Sequence, residues 1–514
     1  MKSGLYRIFI VLLLLGGLSL ILAQPITKNI FLFAFPGGKS HCFIFLQLIK
    51  TTLTKIKNDH PHERYKFHIL VHNYDINLWN KLDVDKEEFE IYGFGSIGEY
   101  DKKFLAAMEL AKEDPIFGYQ NFNKAMIFIN TELLESNLLT KFKSLPFTFD
   151  IIITDVVNMV APFLKRELGI PKMMYVNPTC IYTWNMPNME YNASYEPVIG
   201  TSFSDKMNFL QRMINFGIKK GTEMMYGSFI SSQNKAFIER GYEKLDPFQP
   251  RSLFLNQCVN GIHFPLSLPP NIIPAGAFLP KPAGQLTDNT LINFLNKYEK
   301  NIYVSQGTIT KAMKLDQLVE VFNSFPNIGF VFSIRKDMKL SSELPQNVLG
   351  MSWVPQNDLL GDKRIKAFLT HGGLNSILES IYHSQPMIVI GTSIDQVNSA
   401  ALVKARNFGI SFMKEKEISK ESLIKAIKEI LSNPIYKSNV TEGSKIVKDQ
   451  DGKEAFYYWL NYAIETGYDH LILPSVLSYS SFELFNQDII LILGIFILFG
   501  VFISFFSVKK YLFR

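Results

Sequence analysis

A short apolar run, Ile365 to Thr370, meets His371-Gly372-Gly373 and continues as a segment of helical character beginning near Leu374. An uncharged run of that length is the pattern of a strand buried on both faces of a parallel sheet. Two glycines at a strand-to-helix junction let the backbone approach a ligand closely, and the N–H groups and dipole of the following helix favour an anion there. A phosphate is the obvious candidate. Within the helix, His371, Asn375 and Glu379 recur at i, i+4 and i+8 and so share one side, with Ser376 one step further round. By itself this describes a capped helix with a solvated face.

The neighbouring residues add meaning. Upstream, Trp353 can stack on a planar ring and Gln356 can hydrogen-bond to a base or ribose, while Glu379 suits two ribose hydroxyls. Downstream, a second apolar run, Met387 to Ile390, delivers Asp395-Gln396 near the same strand ends, where open α/β sheets bind ligands. The three blocks, W-V-P-Q-N-D-L-L, T-H-G-G-L-N-S-I-L-E and D-Q-V-N-S-A, resemble in order the signature of the UDP-glycosyltransferases, in particular the membrane-bound animal UDP-glucuronosyltransferases and UDP-glucosyltransferases. The resemblance implies that Trp353 and Gln356 hold the uracil side, His371, Gly373, Asn375 and Ser376 the diphosphate, Glu379 the ribose, and Asp395 with Gln396 the sugar hydroxyls. Two departures stand out: Ser384-Gln385-Pro386 where the family usually has a Gly before its Pro, and Gly391 where it usually has a Pro.

A chain of 514 residues favours more than one domain. Lys2 and Arg7 precede an apolar run from Ile8 to Leu22 that ends at Ala23-Gln24-Pro25, the pattern of a secretory signal. Ile489 to Val508 carries no charge and is long enough to cross a bilayer, with Lys509, Lys510 and Arg514 behind it, so a single-pass type I protein with its mass in a lumen is expected. Its tail resembles an endoplasmic reticulum retention signal of the dilysine kind, but its lysines stand further from the terminus than in that signal, so retention is expected from the family resemblance and not from the motif. Of the formal charge of +6, two positives lie in the signal and three in the tail, leaving +1 and no footprint for nucleic acid. Cys42, Cys180 and Cys258 allow one internal disulfide at most and show no metal-ligand spacing. Asn192-Ala193-Ser194 and Asn439-Val440-Thr441 are glycosylation sequons.

Strand, loop and helix alternate from Asn29 onward, which argues for a parallel sheet with helices on both faces. His41 lies in the first strand-to-helix loop, and G-K-S-H matches the loop that carries the family's catalytic base. Asp155 ends the run Ile151 to Thr154, at the carboxyl end of a buried strand, and would fix the tautomer of that base. Asp150, at the other end of the run, is the poorer partner. Read without the resemblance, His41 and Asp155 are helix caps. Gly93-Phe94-Gly95-Ser96-Ile97-Gly98 spells a dinucleotide fingerprint, but Glu99 and Asp101 would repel a pyrophosphate, so a flexible loop is expected.

Further on, Ser204 and Asp205 are candidate caps of a helix whose methionines and aromatics, at helical spacing, read as core residues. The block also resembles the family's helical region beside the acceptor cleft. The proline-dense Phe264 to Pro282 marks a connection between lobes. Asn301 to Ser305 opens the second lobe as a strand, and Thr308 lies where the family's S-x-G-S loop touches the nucleotide, with Gln306 in place of the usual Phe. Ser419 to Leu431 is amphipathic, Asp451 to Tyr462 is aromatic enough to reach both lobes, and His470-Leu471 matches a short pair in the family.

The resemblance covers nearly the full chain and implies the GT-B architecture, two Rossmann-like lobes facing a cleft, plus a C-terminal transmembrane helix. The expected division is a signal peptide at 1–23, an acceptor-binding lobe at 24–280 and a UDP-sugar-binding lobe at 281–450. C-terminal helices and a juxtamembrane segment at 451–488, the membrane helix at 489–508 and a basic tail at 509–514 follow. The implied reaction moves a hexose, glucose or glucuronic acid, from a UDP-sugar to a hydroxyl of a small lipophilic acceptor with inversion, requiring no metal and no cofactor beyond the sugar nucleotide as co-substrate. A non-catalytic sugar-nucleotide or lipophile binder in the membrane is the other reading, and a homo-oligomer is compatible with both.

Overall fold

The computed structural model describes residues 26–113, 118–180, 192, 194–244, 252–305, 315–334, 343–391, 394–472 and 487–512. The expected signal at 1–23 and much of the juxtamembrane segment lie outside them. The first sheet is formed by β1 (Ile26–Phe33), β2 (Glu63–His72), β3 (Phe89–Phe94), β4 (Ile151–Asp155), β5 (Lys172–Asn177), β6 (Leu253–Asn256) and β7 (Ile272–Pro274), in the order β3-β2-β1-β4-β5-β6-β7. The second is formed by β8 (Lys300–Ser305), β9 (Ile328–Ser333), β10 (Val348–Met351), β11 (Ile365–Thr370), β12 (Met387–Ile390) and β13 (Gly409–Phe412), in the order β10-β9-β8-β11-β12-β13. Every pairing is parallel.

Burial on both faces explains the composition of these strands. β4 and β12 are buried at every position, and helices cover both sides. Each sheet separates two apolar clusters, one per face: Phe31 and Phe33 point into one, Ile30 and Leu32 into the other. Strand order reverses between β1 and β4 in the first lobe and between β8 and β11 in the second. Crossovers leave in opposite directions at such points, so a crevice opens beyond the strands' carboxyl ends.

The chain's later helices join the lobes. Asp451 bridges to Ala277, and the Gly452–Glu465 helix packs on the Lys39–Asp59 helix of the first lobe. Phe456, Tyr457 and Leu460 enter the first lobe's core, and the hydroxyl of Tyr65 donates to Oδ1 of Asn461 at 2.7 Å. One disulfide, Cys180–Cys258, links the loops after β5 and β6, and Cys42 is free and buried.

Several expectations need correction. The long helix is Phe209–Ile238, and its cap is Asn208 in a reciprocal box with Gln211. Ser204 and Asp205 lie outside it; Asp205 instead meets Arg406 of the second lobe at 3.4 Å. Its methionines and aromatics do not all form core: Phe209 is 69% exposed and Met224 78%, with Leu210, Met213 and Phe216 also exposed. The inward face is partly polar, since Asn215 accepts from Val198 N–H and Gln233 bonds Asn130 and Asn123. Helical periodicity identifies a face without saying which way it points.

The dinucleotide-like Gly93–Gly98 segment is also ordered otherwise than expected. Glu132 Oε1 accepts from Ser96 N–H at 3.0 Å, so a carboxylate already sits where an anionic ligand would. The segment runs from β3 into a short Ile97–Glu99 helix.

Gln487–Leu512 is one helix whose apolar side chains from Ile489 to Ile503 are exposed. Side chains beyond Ser504 are outside those described, and the described apolar run falls short of the roughly 20 residues a span needs. Among the described residues no helix is long and apolar enough to cross a membrane, so the helix expected at 489–508 is not shown as a span.

The two family departures have local causes or consequences. At Gly391 a Cβ would stand 2.4 Å from the carbonyl oxygen of Gln396, which leaves room for glycine only. Ser384 ends the Leu374–Tyr382 helix with φ +57°, its N–H bonded to Ile381 and that of Gln385 to Ser380. This is a Schellman ending with a non-glycine residue in the left-handed position. Ser384→Gly is expected to stabilise the protein by about 0.5–1 kcal/mol, the left-handed strain relieved less the added chain entropy of glycine. A raised unfolding midpoint by scanning fluorimetry is the check, and an unchanged or lowered midpoint refutes it.

Candidate active site

Both switch points carry the residues that could do chemistry. β1 ends at Phe33, and the turn Pro36-Gly37-Gly38 leads into the Lys39–Asp59 helix with His41 in its first turn. Gly37 has φ +74°, and its N–H donates to Oδ2 of buried Asp75 at 2.6 Å. Asp155 closes β4, the neighbouring strand. Its Oδ2 lies 2.6 Å from Nδ1 of His41, while Oδ1 accepts from Val157 N–H at 3.1 Å. Asp155 is fully buried and the His41 side chain is 21% accessible. The carboxylate therefore fixes Nδ1 as the protonated nitrogen of a neutral ring, leaving Nε2 as the basic one. Asp150, at the other end of β4, accepts from Asn29 N–H and has no part in the pair.

Burial, the largest single influence, disfavours the imidazolium of His41, but the charge and hydrogen bond of Asp155, with a further pull from Asp395, outweigh it and raise its pKa. Asp395 belongs to the second lobe, which faces the first across the cleft, as the 2.8 Å contact between Gln257 and Asn375 shows. Burial raises the Asp395 carboxyl, opposed in part by backbone N–H groups and by His41.

In the second lobe, β11 ends at Thr370 and the Leu374–Tyr382 helix begins after Gly373. Gly372 has φ +88°, and a Cβ there would stand 2.8 Å from Val389. A Cβ on Gly373 would stand 2.7 Å from Nε2 of His371, so the positive φ calls for glycine at 372 and a side chain at 373 would displace the His371 ring. Burial lowers the pKa of His371 to about 4, and its Nδ1 is buried without a protein partner. This imidazole is neutral at pH 7.

Glu379 and Ser376 are buried, which removes the solvated-face reading of this helix. Gln356 spans both: its Nε2 donates to Ser376 Oγ at 3.1 Å and to Glu379 Oε2, and its Oε1 accepts from the Tyr303 hydroxyl at 3.1 Å. Burial raises the Glu379 carboxyl to about 7, with Gln356 opposing. Ser376 is thus turned onto Gln356, and Asn375 bonds to the first lobe through Gln257. Trp353 is 70% exposed, its ring 6.5 Å from that of Phe43 in the first lobe. Gln396 is buried with Oε1 unpartnered. Thr308 lies outside the described residues.

Further polar contacts close the cleft: Asn398 Oδ1 accepts from Gly200 N–H at 2.6 Å, and Arg406 donates to the carbonyls of Ile262 and His263. Tyr303, Gln257, Asp75 and Phe43 had no signal in the sequence. Each is an ordinary residue of a strand, loop or helix, given a role only by the fold. Of the sequons, Asn192 is exposed, whereas Asn439 lies within the Pro434–Asp449 helix with Nδ2 directed to the Asn407 carbonyl at 3.4 Å.

Comparison with known proteins agrees with this arrangement. The chain is 28% identical over 358 residues to a 2-hydroxyacylsphingosine 1-beta-galactosyltransferase of Homo sapiens, covering 67% of this chain and 65% of that one. It is 30% identical over 344 residues to UDP-glucuronosyltransferase 2B17 of Homo sapiens, covering 63% of each. It is 27% identical over 404 residues to UDP-glucuronosyltransferase 2B14 of Oryctolagus cuniculus, covering 77% of this chain and 74% of the other. The chain thus spans slightly less than two thirds of the length of the two human relatives. Among solved structures, the glycotransferase of kitacinnamycin matches with TM-score 0.61 at 17% identity, over 86% of this chain and all of that one. Os79 from O. sativa, in complex with U2F and trichothecene, matches with TM-score 0.57 at 16% identity, over 85% of this chain and all of the other. These likenesses show the fold, the two-lobed GT-B arrangement. A family model described as "UDP-glucoronosyl and UDP-glucosyl transferase" matches residues 85–513, most of the chain. The chain belongs to that family of UDP-sugar glycosyltransferases.

Proposed function

We propose that this protein is an inverting transferase that moves a hexose from a UDP-sugar to a hydroxyl of a small lipophilic acceptor. The observation that carries the reading is the His41–Asp155 pair, poised on the first lobe within electrostatic reach of Asp395 on the second. Nε2 of His41 takes the proton of the acceptor hydroxyl as that oxygen attacks the anomeric carbon. The C–O bond to the diphosphate breaks on the opposite face, which inverts the configuration. Asp155 stabilises the imidazolium that forms.

UDP leaves toward the helix N-terminus after Gly373, where free N–H groups, Asn375, His371, Ser376 and Thr308 meet the growing negative charge. Trp353 and Gln356 face the uracil side, Glu379 the ribose, and Asp395 with Gln396 the sugar hydroxyls. No step in this scheme uses a metal. The names of relatives include both glucuronosyl and galactosyl transfer, so the sugar itself is set by assay with UDP-glucose, UDP-glucuronate and UDP-galactose against phenols and steroids. Donor binding without glycoside product would favour the non-catalytic binder. The apolar run at 489–508 is read as a membrane anchor and 1–23 as a signal, with the catalytic mass lumenal, in the endoplasmic reticulum. Exposure of Ile489 to Ile503 supports the anchor.

His41→Ala is expected to abolish transfer while leaving UDP affinity within about twofold, since the residue lies across the cleft from the nucleotide. Retained turnover with UDP binding lost would reverse the roles of the lobes. The raised pKa of His41 gives a testable sign. The base must be neutral, so the rate rises with pH through a limb above 6.5. Asp155→Asn removes the two largest influences that raise it, leaving burial opposed by Asp395 alone, so the limb should move to lower pH while the plateau falls about 10²–10⁴-fold.

A second pH effect belongs to donor binding. Ribose hydroxyls donate to the ionised Glu379, so the affinity of UDP-glucose, whose phosphates do not titrate near neutrality, should rise up to about tenfold between pH 6 and 8. Titration calorimetry of wild type and Glu379→Gln checks this, and an equal pH dependence in both would exclude Glu379 as its source.

A further inference from the structure

We infer that Gln257, on the acceptor lobe, sets the orientation of the Asn375 amide so that its NH₂ group, and not its oxygen, faces the donor diphosphate. Gln257 follows β6 and is fully buried. Its own orientation is fixed by partners of unambiguous polarity. The backbone N–H of Phe278 can only donate, and it meets Oε1 at 3.2 Å. The carbonyl of Pro178 can only accept, and it receives Nε2 at 2.8 Å.

The second hydrogen on Nε2 then points across the cleft to Asn375, 2.8 Å away, and requires an acceptor there. Asn375 supplies Oδ1. Its Nδ2 is left on the far side of the amide, and among the described residues it meets no protein acceptor. An amide free to turn would present oxygen, a repulsive dipole, to a phosphate as readily as nitrogen. With Gln257 in place it presents only a donor.

The consequence links the two lobes. Pro178 and Phe278 hold Gln257 to the first lobe and to the connection between lobes, whereas Asn375 opens the donor helix of the second. The donor site is therefore completed by a residue that never touches the donor, and only while the lobes are closed. Gln257 is a positioning residue, and this assignment rests on the reading that Asn375 faces the diphosphate.

A double-mutant cycle on the full chain, read as the dissociation constant of UDP by titration calorimetry, tests it. Gln257→Met removes the donor group at similar volume and should weaken UDP binding about tenfold, as expected for a misaligned hydrogen bond to a charged group. Gln257→Glu, measured at pH 9 where the carboxylate can only accept, should weaken it further by drawing Nδ2 of Asn375 toward itself. In an Asn375→Ala background neither change should weaken UDP binding further. The same further loss in that background, or full UDP affinity in both Gln257 variants while Asn375→Ala lowers it, overturns the role of Gln257 alone. Full affinity in Asn375→Ala overturns the diphosphate reading and the assignment together. Unfolding midpoints of the variants identify any that fail to fold, and the other Gln257 substitution then decides.

Discussion

The candidate chemistry depends on one desolvated carboxylate. Asp155 has no exposure to solvent, and a buried carboxylate is tolerated only with hydrogen-bond donors around it. It finds them in Val157 N–H and in His41. That pairing demands that β1 and β4 lie side by side although 114 residues separate the paired side chains. Parallel pairing of the two strands, fixed register by register from Ile30 with Ile151 to Phe33 with Thr154, brings this about. Buried faces on both sides of the sheet make a slip in that register costly, because it would turn apolar side chains out of both clusters.

The second lobe applies the same geometry to binding. Its switch point puts a glycine-rich turn and a helix N-terminus where a diphosphate fits, while Tyr303, Gln356, Ser376 and Glu379 form a chain of hydrogen bonds beside it. That chain keeps a carboxylate buried before any ribose arrives, with the Gln356 amide standing where hydroxyls would donate. A ligand thus replaces existing bonds and does not have to organise a loose set of side chains, which lowers the entropy cost of binding.

Much of this was legible from the chain. The apolar runs of β4, β11 and β12 and the helix start at Leu374 coincide with their expected positions, since uninterrupted burial leaves a simple sequence pattern. Edges were less clear: β1 starts at Ile26 instead of Asn29, because strand ends are mixed in polarity. The Phe209–Ile238 helix illustrates a deeper limit. Its apolar periodicity is real, yet part of that face is exposed while Asn215 is satisfied inside by the loop before the helix and Gln233 by a partner far along the chain. Likewise, nothing local distinguishes Gln257 or Tyr303. Roles that arise from contact across 50 or more residues, such as Tyr303 with Gln356, leave no spacing to read.

The return of the chain to its first lobe affects how the molecule comes to exist. Phe456, Leu460 and Tyr468 help to fill an apolar cluster shared with β1, β2, β4, β5, β6 and the Lys39–Asp59 helix, and the Tyr468 hydroxyl both donates to and accepts from the backbone of Met173. A ribosome delivers these residues after nearly everything else. The lobe that emerges first must wait, with part of its core uncovered, until the second has been synthesised, so the acceptor half is translated first and completed last.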